Sequence, residues 1–277
     1  MKNKAKHPIM RHWWLVLLGV LLVSGAWAGG NGGNPVIPPQ AHFKGKTYAE
    51  WSAAWWQWLI PIPSDAAQYP FKVQYGPECG NGANAGKVWF LVGFFTPPGA
   101  PPEERICQIP VGTALFFPIF NTECSTVEPD PFHLDLDDPT KCVNSFFNGE
   151  FQSVGIPQLT IDGQSIILNW DDYLITSKKF GFTLPNPEAN PPTKNNNLEV
   201  LSNACTINPD GSPNPVGCQA KSKGYWIMLP SLSKGDHTIF FSIDRTSPVG
   251  SIKNPINTEY HIQVVNKDKK HKKNKKD

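Results

Sequence analysis

The sequence predicts a mainly β fold, an antiparallel β-sandwich with one N-terminal Trp-rich α-helix. Three observations lead to this prediction. The 277 residues include 28 Pro and 23 Gly, which favours turns and short strands and excludes a coiled coil, a helical bundle and a collagen-like repeat. Short aromatic and β-branched runs lie between those turns, and one segment alone has helical periodicity. Hydrophobic residues make up 40% of the chain, with 10 Trp and 16 Phe, which suffices for a packed core.

A capping box and a Trp pattern predict the helix at 48–59. The Thr47 side chain can accept a hydrogen bond from the backbone N–H of Glu50, and the Glu50 carboxylate can reach back to Thr47. Tryptophans then recur on one helical face, at Trp51, Trp55 and Trp58. Pro61 ends the pattern because proline cannot continue a helix. The helix therefore presents an aromatic face.

Apolar runs predict the strands of the sandwich. These runs lie at 87–95, 113–120, 224–229, 238–243 and 259–265. The segment 159–168 alternates on both sides of Asp162-Gly163, which predicts a hairpin. Pro118 interrupts one run and predicts an edge position or a bulge. The segment 185–215 is rich in Pro and Asn and is predicted to be loop.

Residues 1–28 are predicted to be a secretory signal peptide. Basic side chains precede an apolar run at 13–23 that is short for a membrane span, and residues 26–28 match the small-x-small cleavage pattern. The alternative is an uncleaved N-terminal anchor. We expect an exported protein, located in the periplasm or outside the cell.

Six cysteines follow the predicted cleavage site and agree with export: Cys79, Cys107, Cys124, Cys142, Cys205 and Cys218. An even number of cysteines in an exported chain indicates disulfides. We predict sequential pairing, Cys79–Cys107, Cys124–Cys142 and Cys205–Cys218. The alternative is a zinc site, which the absence of any C-x-x-C pair disfavours.

Charge is distributed unevenly over the predicted segments. These are a flexible linker at 29–46, a single β-rich disulfide-bonded domain at 47–266 and a disordered Lys-rich tail at 267–277. The signal peptide holds 4 of the 25 basic residues and the tail holds 7. Residues 29–266 keep 14 basic and 21 acidic residues, a net charge of −7. An acidic body argues against a dedicated nucleic-acid site. The tail is predicted either to aid solubility or to contact envelope polysaccharide or another anionic polymer.

Glu123 is the candidate catalytic residue. The chain contains no G-x-S-x-G, no H-E-x-x-H, no phosphate loop and no EF-hand loop. Glu123 follows a very apolar strand, where burial would raise its pKa and suit it to acid or base catalysis. The alternative is a structural role, in which Glu123 bonds to backbone amides or pairs with Arg105 or a lysine.

Two further groups are candidate binding residues. Asp135, Asp137 and Asp138 could offer oxygens to Ca²⁺, and no other cofactor is predicted; the alternative is a solvated acidic turn. Trp55 and Trp56 point to different helix faces, so one of them could stack on a sugar ring. The alternative for both tryptophans is core packing.

The C-terminal part resembles the late strands of bacterial immunoglobulin-like sandwiches. A strand at 225–230 leads through a Gly-containing turn into the H-T-I-F-F run at 237–241. This resemblance implies a sandwich of immunoglobulin-like or jelly-roll type. It implies no activity, because such sandwiches serve many functions.

Two longer motifs resemble a family of exported bacterial proteins to which no activity is assigned. They are T-Y-A-E-W-S-A-A-W-W-Q-W at 47–58 and A-L-F-F-P-I-F-N-T-E-C-S at 114–125. The likeness covers most of 43–265, and the basic tail is not part of it.

These observations favour a non-catalytic binding protein of the cell envelope or extracellular space, with polysaccharide as its candidate ligand. One alternative is a secreted hydrolase of glycan or ester substrates that uses carboxylates such as Glu123. Another is a structural surface or matrix component held by the Lys-rich tail.

Overall fold

The computed structural model describes residues 34–67, 69–72, 88–208, 210–247 and 252–266. The predicted signal peptide, Cys79 and the Lys-rich tail lie outside the described residues. The described chain forms two mixed β-sheets and three helices, which confirms the prediction of a β-sandwich with a small helical part. Within these ranges, no helix has both the length and the apolar character needed to cross a membrane.

The first sheet, which we call the helix-side sheet, is built around two long antiparallel strands. Its strands are Val88–Phe90 (β1), Ala114–Ser125 (β3), Leu174–Thr176 (β7), Phe180–Gly181 (β8) and Gln219–Leu229 (β9). Their order is β1-β3-β9-β7, and β8 also pairs with β9. β1 pairs with β3 in parallel, and the other pairs are antiparallel.

The second sheet is centred on the hairpin of the last two strands. Its strands are Glu103–Pro110 (β2), Ser153–Val154 (β4), Gln158–Ile161 (β5), Gln164–Ser165 (β6), Gly235–Thr246 (β10) and Ile252–Val265 (β11). Their order is β2-β11-β10-β5-β6, and β4 also pairs with β10. β2 pairs with β11 in parallel.

The main helix, α1, spans Tyr48–Leu59, and both hydrogen bonds of the predicted capping box are present. Its aromatic face packs on the helix-side sheet, where Trp226 of β9 stacks on Phe116 of β3 with ring centroids 5.1 Å apart. Trp55 contacts Trp226 edge to face. Two short helices, Lys141–Ser145 (α2) and Trp170–Tyr173 (α3), lie in the connections.

Aromatic side chains also fill the space between the two sheets. Phe117 of β3 stacks on Phe241 of β10 with ring centroids 5.1 Å apart. Tyr260 of β11 is fully buried and donates its hydroxyl to the Val92 carbonyl at 2.9 Å. One continuous hydrophobic core therefore joins α1 to both sheets.

Most of the predicted strands are present, with different lengths. The predicted hairpin turns at Asp162-Gly163, but its second strand, β6, has two residues. The register of β3 against β9 shifts between Pro118 and Phe120, which confirms a bulge at Pro118. β2 was not predicted, because it begins with three consecutive charged residues and its parallel partner lies about 150 residues away.

The described part of the predicted linker packs on the sandwich. Val36 is buried, and the Ile37 N–H donates to the Met228 carbonyl at 2.9 Å. The indole N–H of Trp51 donates to the Phe43 carbonyl at 3.0 Å. Residues 34–46 therefore differ from a free linker, because their backbone groups find partners on α1 and β9.

Two of the predicted disulfides are present, Cys124–Cys142 and Cys205–Cys218. Cys107 is also disulfide-bonded, and Cys79, its predicted partner, lies outside the described residues. Disulfides of this kind persist in oxidising compartments, so they agree with export.

Candidate functional site

A large cleft, which we call the β3 cleft, lies beside the second half of β3. Its volume is about 1690 Å³. The lining residues come from α1, both sheets and the loop at 194–214, and include Trp56, Phe95, Phe120, Asn121, Glu123, Glu128, Phe132, Arg245 and Lys253. The cleft therefore brings together segments that lie far apart in sequence.

The bulge in β3 and a glycine in β9 place two polar side chains in this cleft. After the register shift, Asn121 lies opposite Gly224 and Glu123 lies opposite Ser222. Asn121 and Glu123 are two residues apart, so they share one face of the strand. A Cβ atom at Gly224 would lie 2.6 Å from the Cβ of Asn121 and 2.6 Å from the Phe120 carbonyl oxygen. Only glycine permits this close approach.

Four residues of the cleft carry buried polar atoms that have no hydrogen-bond partner among the described residues. These atoms are Trp56 Nε1, Asn121 Nδ2, Glu123 Oε2 and Arg245 Nε. An unpaired buried polar atom costs about 1–3 kcal/mol, so proteins rarely keep several together without a use. A bound ligand or ordered water could supply the missing partners.

Glu123 and Glu128 form a hydrogen-bonded carboxyl pair in the cleft wall. Burial raises the pKa of Glu123 well above its ordinary value, and the nearby Glu128 carboxylate raises it further. Burial also raises the pKa of Glu128, against the hydrogen bonds from Glu123 and from the Ser125 hydroxyl, which lies 2.7 Å from Glu128 Oε2. The pKa of Glu123 is thus raised by its partner and that of Glu128 is lowered by it, so Glu123 is the carboxyl that favours the protonated form and can donate a hydrogen bond to Glu128.

The pair gives Glu123 a partner that the sequence did not suggest. Arg105, one of its expected partners, instead lies 3.6 Å from Glu103 and places its guanidinium over the Phe94 ring. Glu128 was missed because it follows the end of β3, where no periodic pattern indicates which way a side chain points. The only sequence feature that could have indicated Glu128 is its closeness in the chain, since it lies five residues after Glu123.

The two candidate tryptophans occupy different places. Trp55 is buried in the core, and its indole N–H donates to the Leu91 carbonyl at 2.9 Å. Trp56 lines the β3 cleft, and its indole N–H has no partner among the described residues. The structure therefore places Trp56, and not Trp55, where it could contact a ligand.

Exposed phenyl rings lie at the edge of the cleft. Phe95 is 56% exposed and Phe132 is 40% exposed. The Arg245 guanidinium lies over Phe95 at 4.5 Å from the ring centroid and over Phe120 at 5.4 Å. The cleft thus offers flat apolar faces beside hydrogen-bond donors.

The three candidate calcium ligands form a self-contained turn. Asp135 Oδ1 accepts hydrogen bonds from the backbone N–H groups of Asp137 at 2.9 Å and Asp138 at 3.4 Å, and these bonds lower the pKa of Asp135. Across the described ranges, no group of three or more His, Cys, Asp or Glu side chains is placed to hold a metal ion. The calcium site stays a prediction.

His237 lies between Ser233 and Asp162 in an arrangement that resembles a catalytic triad. Its Nδ1 is 2.8 Å from Asp162 Oδ2, and its Nε2 is 3.2 Å from the Ser233 hydroxyl. However, Nε2 is also 3.0 Å from the Ser233 carbonyl oxygen, and Asp162 accepts the backbone N–H of Thr238. These contacts tie the β5–β6 turn to the start of β10, so we interpret the set as a structural clamp.

Comparison with known proteins found no matching family model, no matching curated protein and no matching solved structure.

Proposed function

We propose that this protein is an exported, non-catalytic binding protein and that the β3 cleft binds a segment of polysaccharide. The observation that carries this proposal is the set of unpaired buried polar atoms on Trp56, Asn121 and Glu123, all on one cleft. Export is supported by the predicted signal peptide and by the disulfides.

Polysaccharide fits the shape and chemistry of the cleft. A volume of about 1690 Å³ exceeds the roughly 300–1,000 Å³ of pockets for small ligands, so several sugar rings can enter. Each sugar hydroxyl both donates and accepts hydrogen bonds, as the lining indole, amide and carboxyl groups require. Phe95 and Phe132 can stack on the apolar faces of sugar rings.

The Trp56→Phe variant tests this proposal. It keeps an aromatic ring and removes the N–H, and Trp58→Phe on the same helix is the matched control because Trp58 does not line the cleft. We would measure binding of cellohexaose, maltohexaose, chitohexaose and hexagalacturonate by titration calorimetry of the disulfide-bonded protein. Trp56→Phe should weaken binding about three- to tenfold, the contribution of one neutral hydrogen bond.

The same variant should still unfold cooperatively, with a modestly lower free energy of unfolding, because the smaller ring loses part of the buried packing of Trp56 although the N–H it removes is unpaired. Loss of binding would then not be due to misfolding. The proposal fails if none of the four oligosaccharides binds, or if both Trp variants weaken binding alike.

The carboxyl pair favours a second function, hydrolysis of esters on such a polysaccharide. Glycosidases separate their two carboxyl groups by about 5–10 Å, whereas Glu123 and Glu128 are hydrogen-bonded to each other. A pair that shares one proton suits attack of water on a carbonyl carbon. Glu128 would take a proton from the water and Glu123 would protonate the carbonyl oxygen. Collapse of the adduct would release an alcohol and a carboxylic acid and leave the pair with one proton.

Glu123→Gln separates the two functions. If the protein hydrolyses acetylated xylan, this variant should release acetate at least about a hundredfold more slowly and still bind the polysaccharide. Glu199→Gln is the control, because Glu199 lines the same cleft and does not contribute to the raised pKa of either member of the pair. If the unmodified protein releases no acetate, the hydrolase function is rejected and only the binding function is retained.

A further inference from the structure

Two basic residues lie directly opposite each other where β10 and β11 border the β3 cleft. Arg245 and Lys253 are register partners in this antiparallel pair, and both line the cleft. Opposed residues on neighbouring strands place their side chains on the same face, a few ångströms apart. Like charges in such a position repel each other, so the pair costs stability in the free protein.

No acidic side chain in the described ranges forms an ion pair with either of these two residues. The Arg245 side chain forms no hydrogen bond and no ion pair with any described residue, and its Nε atom is buried. Lys253 donates to the Phe151 carbonyl at 3.2 Å, which is a neutral acceptor. Asp244 precedes Arg245 in β10 and is exposed, and it forms no ion pair with either basic residue. Both positive charges therefore remain available to a ligand.

The guanidinium is also held in place before any ligand arrives. It packs on the rings of Phe95 and Phe120. This packing half-buries Arg245 and lowers its pKa through loss of solvent, although an arginine remains charged at neutral pH. A rigid guanidinium loses little conformational freedom when it binds a carboxylate, so the arrangement favours affinity.

We propose that Arg245 and Lys253 form an oxyanion site and that the polysaccharide in the β3 cleft is acidic, with a sugar carboxylate bound by this pair. The proposal rests on the proposed binding function and specifies its ligand class. A carboxylate can take two parallel N–H···O bonds from the guanidinium while the lysine contributes a third contact. The cleft thus has a basic site within a body of net charge −7.

Tetragalacturonate and its methyl ester test the charge of the ligand, because esterification replaces each ionised carboxylate with a neutral methyl ester on the same sugar chain. The acid should bind the full-length protein at least about tenfold more tightly than the ester, as expected for a charge-assisted hydrogen bond. Arg245→Gln should remove this preference, because it should weaken binding of the acid at least about tenfold more than binding of the ester. Lys234→Gln, in the exposed turn before β10, makes the same change in net charge away from the cleft and should retain the preference.

A second measurement follows the Arg245 Nε–H signal by NMR, assigned from its absence in Arg245→Gln. Sodium sulfate should shift this signal, and sodium chloride at equal ionic strength should not. Equal binding of the acid and the ester, or an unchanged Nε–H signal in sulfate, overturns the oxyanion site. If neither saccharide binds but sulfate shifts the signal, the oxyanion site stands and the polysaccharide function fails.

Discussion

Single residues fix the geometry of the β3 cleft, and Gly224 is the clearest case. Gly224 lies opposite Asn121, and its missing side chain lets β9 approach β3 at the bulge. The glycine needs no unusual backbone dihedral there. Its role is the space that it leaves for Asn121.

We predict that Gly224→Ala destabilises the protein by about 1–3 kcal/mol or more, because the new methyl group meets backbone and Cβ atoms that cannot move independently. Gly181→Ala is the control, since a Cβ at Gly181 meets only the Cys218 carbonyl oxygen at 3.8 Å. Urea unfolding of both variants measures the difference. Equal stability of Gly224→Ala and the unmodified protein would contradict the close approach described above.

The sequence indicated some residues of the site and not others. Glu123 and Trp56 were identifiable because each lies in a regular element with an apolar pattern around it. Glu128 follows a strand end, and Arg245 and Lys253 become neighbours only through the register of β10 and β11. No local pattern indicates that register, because it depends on how both strands pack on the second layer of the sandwich.

At the level of elements, α1 was predicted with its observed bounds because its signals are local. The capping box, the spacing of its tryptophans and the following prolines all lie within about 16 residues. β2 was missed for the opposite reason, since its parallel partner β11 comes at the end of the domain. Local signals therefore sufficed for the helix, and distant pairing was needed for the strand.

We predict that Thr47→Ala destabilises the protein by about 1 kcal/mol, the usual value of an N-cap. The hydroxyl of Thr47 accepts the Glu50 N–H at 3.2 Å and also donates to the Glu50 carboxylate at 3.0 Å. Thr47→Ser keeps the hydroxyl and should retain most of the stability. Thermal unfolding of the two variants, side by side, separates capping from a general effect of substitution at this site.

At the scale of the whole molecule, the fold buries a carboxyl pair instead of exposing it. Glu123 sits on a strand that is buried along most of its length, and Glu128 is held over it by the Ser125 hydroxyl. Folding therefore moves two acidic groups from water into a site where their charged forms are disfavoured. The stability of the entire protein depends on the proton that they share.

This dependence has a definite sign. The pKa of Glu123 is about 4.3 in an unfolded chain and is raised well above that value in the folded protein. Between these two values the folded state binds more protons than the unfolded state, so the free energy of unfolding falls as the pH rises. The contribution is fully present below the unfolded pKa and is lost as the pH rises through the folded pKa. The slope approaches about 1.4 kcal/mol per pH unit for one proton.

We therefore predict that Glu123→Gln, which is uncharged at every pH, is little different in stability at pH 4 and increasingly more stable than the unmodified protein as the pH rises from 5 to 8. Urea unfolding across this pH range gives the difference in free energy of unfolding between the variant and the unmodified protein. The contributions of the exposed carboxylates cancel in this difference, because both proteins contain them. Glu199→Gln, which removes a different carboxyl group from the lining of the same cleft, is the control. A flat difference for Glu123→Gln would mean that Glu123 ionises in the folded protein as it does in water, and the shared-proton description of the pair would be wrong.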